Sequence, residues 1–202
     1  MMIVFQWHRN LRLGLTLAAA AISLAVGAGT AASRDSGSAL SIGPEEQSIY
    51  EAVIDAWLGP RPVNQLVNER LAAAPSPTEN ARCVKGLNFQ PDANGARSAK
   101  SLSGVTFKRA GLTLIDGETW SADDRALQDS VRGGTLRPPD LDRAFSHSLF
   151  TLSQIAFSTN GKDALVSYSN VCGRLCGTGS VLVMHKAAGR WKIVRRCGGW
   201  IS

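Results

Sequence analysis

The sequence predicts an α+β domain, with helices in the N-terminal half packed on a C-terminal four-stranded antiparallel meander. Residues 44–58 place Ile49, Val53, Ile54, Trp57 and Leu58 on one helical face. From Leu149 onward the residues turn β-branched and aromatic, broken by turn signals at Asn160–Gly161 and Ala188–Gly189. The helical patterns precede the strands instead of alternating with them, which separates α+β from a βαβ architecture.

Residues 1–32 read as a signal peptide. His8, Arg9 and Arg12 form a basic start, Leu13 to Val26 an apolar middle, and Ala28 to Ala32 a small-residue end suited to cleavage after Ala31 or Ala32. An uncleaved anchor over Leu11 to Ala32 is the alternative, since that run is long enough to span a bilayer. It is rich in Ala, Gly and Thr, which suits lipid poorly. Residues 33–43 are small and polar and read as a flexible spacer, and residues 44–202 as a single domain.

The first helix begins at Pro44, with Glu45 and Glu46 at the positive end of its dipole, and stops at Gly59 and Pro60. Val63 to Leu71 fits both a helical face and a strand, with the strand preferred. Thr78 is expected to cap a short helix ending at Gly86, and residues 88–103 form a surface loop. Leu112 to Ile115 read as a strand with a turn at Asp116–Gly117, and Ser121 as the cap of a helix over 122–131. The meander consists of Leu149–Phe157, a strand opening with Leu165, Val166 and Tyr168, then Ser180–Lys186 and Arg190–Arg196. Asn160–Gly161 is read as a type I′ hairpin turn.

Composition narrows the function classes. Hydrophobic residues make up 44% and charged residues 19%, which excludes global disorder. With Arg9 and Arg12 removed alongside the leader, 20 basic residues face 16 acidic ones, a mild excess. The basic residues are scattered and carry no reading motif, so no nucleic-acid partner is expected, and membrane contact is expected only through the N-terminal segment if it stays uncleaved. No cofactor is implied, since Gly177 and Gly179 form a lone GxG that reads as loop.

The cysteines carry the sharpest expectation. Cys172 and Cys176 sit in the run CGRLCGTG, and in an exported chain such a pair reads as a disulfide before it reads as a metal or redox site. A turn at Ala188–Gly189 brings Arg196 and Cys197 alongside Ser180 and Val181. If the Ser180 strand is central, Cys172 and Cys197 lie on its two neighbours, roughly 9–10 Å apart by strand spacing. That exceeds the ~7 Å α-carbon limit of an unstrained bridge. The expected pairs are therefore Cys172 with Cys176 and Cys83 with Cys197.

The ending is also distinctive as a pattern. Phe157, Gly161, Ala164 to Val166, the CGRLCGTG loop, Gly189 with Trp191, and the terminal Trp200, Ile201 and Ser202 resemble the C-terminal module of a group of uncharacterised exported bacterial proteins. The resemblance covers about a quarter of the chain. It implies export and a strand-rich ending, and it transfers no active site.

The functional expectation is a noncatalytic exported domain, periplasmic or extracellular, that binds a partner or serves the envelope through its loop-rich end. Trp120, Trp200 and Leu175 are the candidate binding surface, because exposed aromatics in a polar rim mark partner sites. The alternative is a small secreted hydrolase using His147, which has Ser146 and Ser148 beside it and Asp140 and Asp142 close by. No GxSxG elbow or SxxK pair supports it, so no catalytic residue is assigned. Trp57 and Trp191 read as core.

Overall fold

Helix α1 (Pro44–Leu58) forms as expected. Glu46 reaches back to accept from the Gly43 N–H at 3.0 Å and pairs with Lys100 at 2.7 Å, satisfying an amide at the helix entrance. At the other end Gly59 takes φ +64° and donates its N–H to Asp55 O. The face carrying Ile49, Tyr50, Val53 and Ile54 is fully buried. The computed structural model describes residues 40–60, 64–89, 100–134, 147–173 and 176–202, which fall within one unit; the expected leader and most of the spacer lie outside them.

The class is α+β, but the sheet is not a four-stranded meander. Seven strands form it, in the order β4 (Leu112–Ile115), β2 (Gln65–Asn68), β5 (Leu149–Leu152), β7 (Asp163–Val171), β8 (Gly177–Ala187) and β9 (Arg190–Ile201), with β6 (Ala156–Phe157) also paired to β7. β2 runs parallel to both β4 and β5, and the remaining pairs are antiparallel. The parallel pairings join segments far apart in sequence and leave no hairpin signal, so local pattern reveals only the antiparallel end. Part of the presumed spacer is also structured, as β1 (Leu40–Ser41) pairs with β3 (Lys100–Ser101) in a separate two-stranded sheet.

Helix α2 (Gly117–Arg132) lies between β4 and β5, so the helices are not confined to the N-terminal half. Its cap is Asp116, whose Oδ1 accepts from the Glu118 and Thr119 N–H groups at 3.0 and 3.2 Å. Ser121 is inside the helix and donates to Gly117 O. Gly117, the first helical residue, packs close to the Asn68 side chain, where a Cβ would fall 2.8 Å from Nδ2. The helix expected after Thr78 is instead a run of turns ending at Gly86, φ +85°. A segment that short is marginal as a helix, and it is held by docking on the sheet.

Two hydrophobic clusters occupy opposite faces of the sheet. On one, α1 packs against Val67, Phe150, Leu152, Ala164, Val166, Leu182, Met184 and Trp191, with Trp57 stacked on Phe150 at 5.8 Å. On the other, Val84, Leu87 and Phe89 cover Ala156, Leu165, Val183 and Cys197. Alternation along β7 and β8 sends neighbouring side chains to these different faces. The Cys83–Cys197 disulfide, Cα–Cα 5.6 Å, fastens the 74–89 segment to its face, and Arg195 donates to Cys83 O at 2.8 Å beside it.

The two turns exchange roles. Ala188 and Gly189 both have positive φ, at 49° and 74°, which is the type I′ pattern for a two-residue hairpin. At the other hairpin only Gly161 has positive φ; Asn160 stays out of that region and uses its side chain to accept from Lys162 N–H and Ser158 Oγ.

Candidate functional site

Strand β9 sets the geometry. Its pairing with β8 is interrupted twice, between Val183 and Met184 and between Ser180 and Val181. The second interruption coincides with Gly198, φ +50°, the conformation of a glycine bulge. Cys197 lies opposite Val181, Gly199 opposite Ser180 and Trp200 opposite Gly179. In uninterrupted pairing residues 197 and 200 would point to opposite faces; the extra residue puts Trp200 on the same face as Cys197.

There the indole has space because β8 carries glycine. A Cβ at Gly177 would meet the Trp200 ring at 2.7 Å, and one at Gly179 would come within 2.5 Å of its Nε1. Both glycines are therefore strand positions that seat a tryptophan, contrary to the expectation that they mark a loop. Ser202 N–H donates to Gly177 O at 3.0 Å and holds the chain end down. Trp200 is still 46% exposed, so one face of the ring rests on β8 and the rest is accessible.

Between Trp200 and the Ala72 to Asn80 stretch runs an open groove of about 420 Å³. Thr151, Ser167, Ser169 and Val181 lie along its floor, and the described lining residues include no Asp, Glu, Lys, Arg or His. Ser153 is already engaged, donating to Gln154 O and accepting from Ser167 N–H at 2.8 Å. Ser180 donates to Gly198 O. The Ser167 and Ser169 hydroxyls have no hydrogen-bond partner among the described residues. Backbone groups of the floor strands are consumed in the ladder, Asn80 Nδ2 donates to Ser76 O at 2.9 Å and Thr151 Oγ1 accepts from Asn68 Nδ2 at 3.5 Å, so the groove offers mainly the Ser167 and Ser169 hydroxyls, the Asn80 carbonyl oxygen and the indole.

Other expected site residues separate from this groove. Trp120 is only 6% exposed and donates its Nε1–H to His147 O at 2.9 Å, so it is a packing residue and not part of an aromatic surface. Leu175 lies outside the described residues. Cys172 and Cys176 are bonded, Cα–Cα 5.0 Å, closing the β7–β8 connection, where Gly173 faces Gln128 and Asp124 of α2.

The His147 ring stacks on Trp120 with centroids 5.9 Å apart, and its Nε2 is buried with no hydrogen-bond partner among the described residues. Ser148 Oγ accepts from Gln65 Nε2 at 3.2 Å and does not face the imidazole through a hydrogen bond. Asp140, Asp142 and Ser146 lie outside the described residues. His185 is engaged with Asp163 at 2.7 Å.

Besides Glu51, whose carboxyl is held down, against desolvation, by its bonds from Lys108 and Gln47, two perturbed groups lie on the α1 side of the sheet. The Lys186 ammonium bonded to Glu45 holds that carboxyl below its usual value, against desolvation, with the Trp191 Nε1–H adding to the effect. Burial pushes the Tyr50 phenol far up, and its hydroxyl donates to Ser153 O at 3.1 Å. Neither group lines the groove.

Sequence reading singled out Trp200 but not its hydroxyl partners. A signal was present, since Ser167 and Ser169 stand two apart on a strand whose preceding same-face residue is the buried Leu165. A stripe that turns from apolar to hydroxyl along one face marks where cover by the 74–89 segment gives way. No protein-family model, curated protein or solved structure matches the chain.

Proposed function

We propose that the chain is exported and that its domain is a noncatalytic binding module whose ligand lies in the groove beside Trp200. The observation that carries the reading is the half-exposed indole seated on Gly177 and Gly179 at the rim of a groove whose floor includes the Ser167 and Ser169 hydroxyls, which have no partner among the described residues. Its volume falls within the range of about 300–1,000 Å³ common to small-molecule sites, and a few placed polar groups on an otherwise neutral wall give orientation. Two disulfides are compatible with an oxidising compartment. The small-residue end of residues 1–32 supports cleavage after Ala31 or Ala32.

Saturation-transfer NMR on the purified protein tests the groove, using a mixed panel of neutral and charged oligosaccharides, tetrapeptides and nucleotides. Wild type is compared with Ser169→Tyr, which fills the floor. Binding of any class that disappears on filling supports the reading, and a panel in which the two proteins behave alike overturns it. Mass measurement of protein from the native host tests export separately, since a full-length chain in the membrane fraction means an anchor.

A further inference from the structure

We infer that the groove beside Trp200 takes a neutral saccharide, an inference that rests on the binding reading above. Three features of the site select this chemistry. The described lining residues carry no charged side chain, so a phosphate, carboxylate or ammonium group would enter without a counter-charge and lose its hydration. A neutral ligand avoids that penalty.

The polar groups present are hydroxyls and one carboxamide, from Thr151, Ser167, Ser169 and Asn80. Ser167 and Ser169 can each donate and accept; Thr151 Oγ1 accepts from Asn68 Nδ2 at 3.5 Å and keeps its proton to donate, and Asn80, whose Nδ2 donates to Ser76 O at 2.9 Å, keeps its carbonyl oxygen to accept, a set that matches a ligand whose own groups are hydroxyls. The Ser167 and Ser169 hydroxyls lie on alternate residues of β7, about 7 Å apart along the strand by its rise. They can therefore address separate hydroxyls of one extended ligand.

The third feature is the rim. Trp200 presents a broad apolar surface with a polar edge, and its inner face is occupied by β8, so the ligand meets a flat platform. A pyranose ring has the corresponding form, with an apolar face of C–H groups and a rim of hydroxyls. A peptide strand is the main competitor, and it draws its affinity from main-chain bonds at a sheet edge. On the floor of this groove the main-chain groups of β7 and β8 are taken up by pairing on both sides.

Titration calorimetry with cellohexaose, maltohexaose and chitohexaose, and with a hyaluronan hexasaccharide and tetra-alanine as controls, tests the inference. At least one neutral hexaose is expected to bind, at ligand concentrations up to about 10 mM, where even millimolar affinity fills most sites. Trp200→Ala is expected to weaken that binding about tenfold in a domain that still unfolds in one cooperative transition, with a lower melting temperature because about half the ring is buried. Trp200→Phe should restore part of the affinity, which a purely structural role would not produce. If only the hyaluronan fragment or the peptide binds through Trp200, the saccharide assignment is wrong and the binding reading stands. If nothing on the panel binds, or binding ignores Trp200, the saccharide assignment is overturned as well, and the Ser169→Tyr comparison decides the broader reading independently.

Discussion

Removing each disulfide separately offers a test of how this domain is held together. Cys83 and Cys197 are 114 residues apart in sequence, Cys172 and Cys176 only 4. In the loop-entropy model the first bridge contributes about 5 kcal/mol at room temperature and the second about 2 kcal/mol. The structure adds to the difference, since Cys197 is buried and its bridge fastens Val84, Leu87 and Phe89 over one face of the sheet. The double variant Cys83→Ala/Cys197→Ala should therefore melt roughly 6–12 °C below Cys172→Ala/Cys176→Ala, taking about 2–4 °C per kcal/mol for a domain of this size. Scanning calorimetry measures the difference, and hydrogen exchange should show extra opening confined first to residues 74–89. Equal melting temperatures, or a larger loss from the short bridge, would refute the argument that the long bridge secures the second layer. A nonreducing peptide map joining Cys176 to Cys197 would refute it more directly.

Other outcomes follow from single groups. Gly179→Ala places a Cβ 2.5 Å from Trp200 Nε1 and 2.9 Å from Tyr168 O, so it should lift the indole and destabilise the domain by about 1–3 kcal/mol, read by chemical denaturation. Gly198→Ala must hold φ near +50° and should lose about 1–2 kcal/mol, with a changed near-ultraviolet signal as Trp200 shifts. Tyr50→Phe leaves the buried Ser153 carbonyl without its phenol donor and should lose about 1–3 kcal/mol by the same assay. The Tyr50 pKa is raised by burial above its ordinary 10.0, so its contribution is complete below that value and declines as pH rises beyond it, when only the unfolded chain releases the proton. Spectrophotometric titration should show this tyrosine ionising only on unfolding. Glu45 shifts the opposite way: its link to Lys186 and Trp191 stabilises above the ordinary carboxylate value of 4.5 and is lost as pH falls through the depressed one, so Glu45→Gln should flatten the acid limb of a stability profile.

Local pattern was enough wherever partners are near in sequence. The α1 face, its stop at Gly59, and the hairpin at Ala188–Gly189 all follow from residues within a few positions of one another. The cysteine pairing followed too, because strand spacing is set by the ladder whatever lies outside it, and the small shifts at the β9 bulges leave Cys197 beside Val181. Where the reading failed, a nearby residue competed for the same role or the partner was distant. Ser121 and Asp116 are both good caps five residues apart, and the structure uses Asp116, whose Oδ1 takes the Glu118 and Thr119 amides, while Ser121 falls one turn inside the helix.

The candidate site divides in the same way. By itself the sequence determined that a helix with one apolar face precedes a run of antiparallel strands, that the cysteines can bridge, and that a tryptophan stands near the end of the chain. Only the tertiary structure decided that β2 enters the sheet between β4 and β5, since parallel pairing draws on segments that share no turn. It also decided which face Trp200 occupies. Side-chain direction alternates every residue along a strand, so the one-residue bulge at Gly198 reverses it, and the consequence exists only once β8 supplies Gly177 and Gly179 as the surface on which the ring can rest.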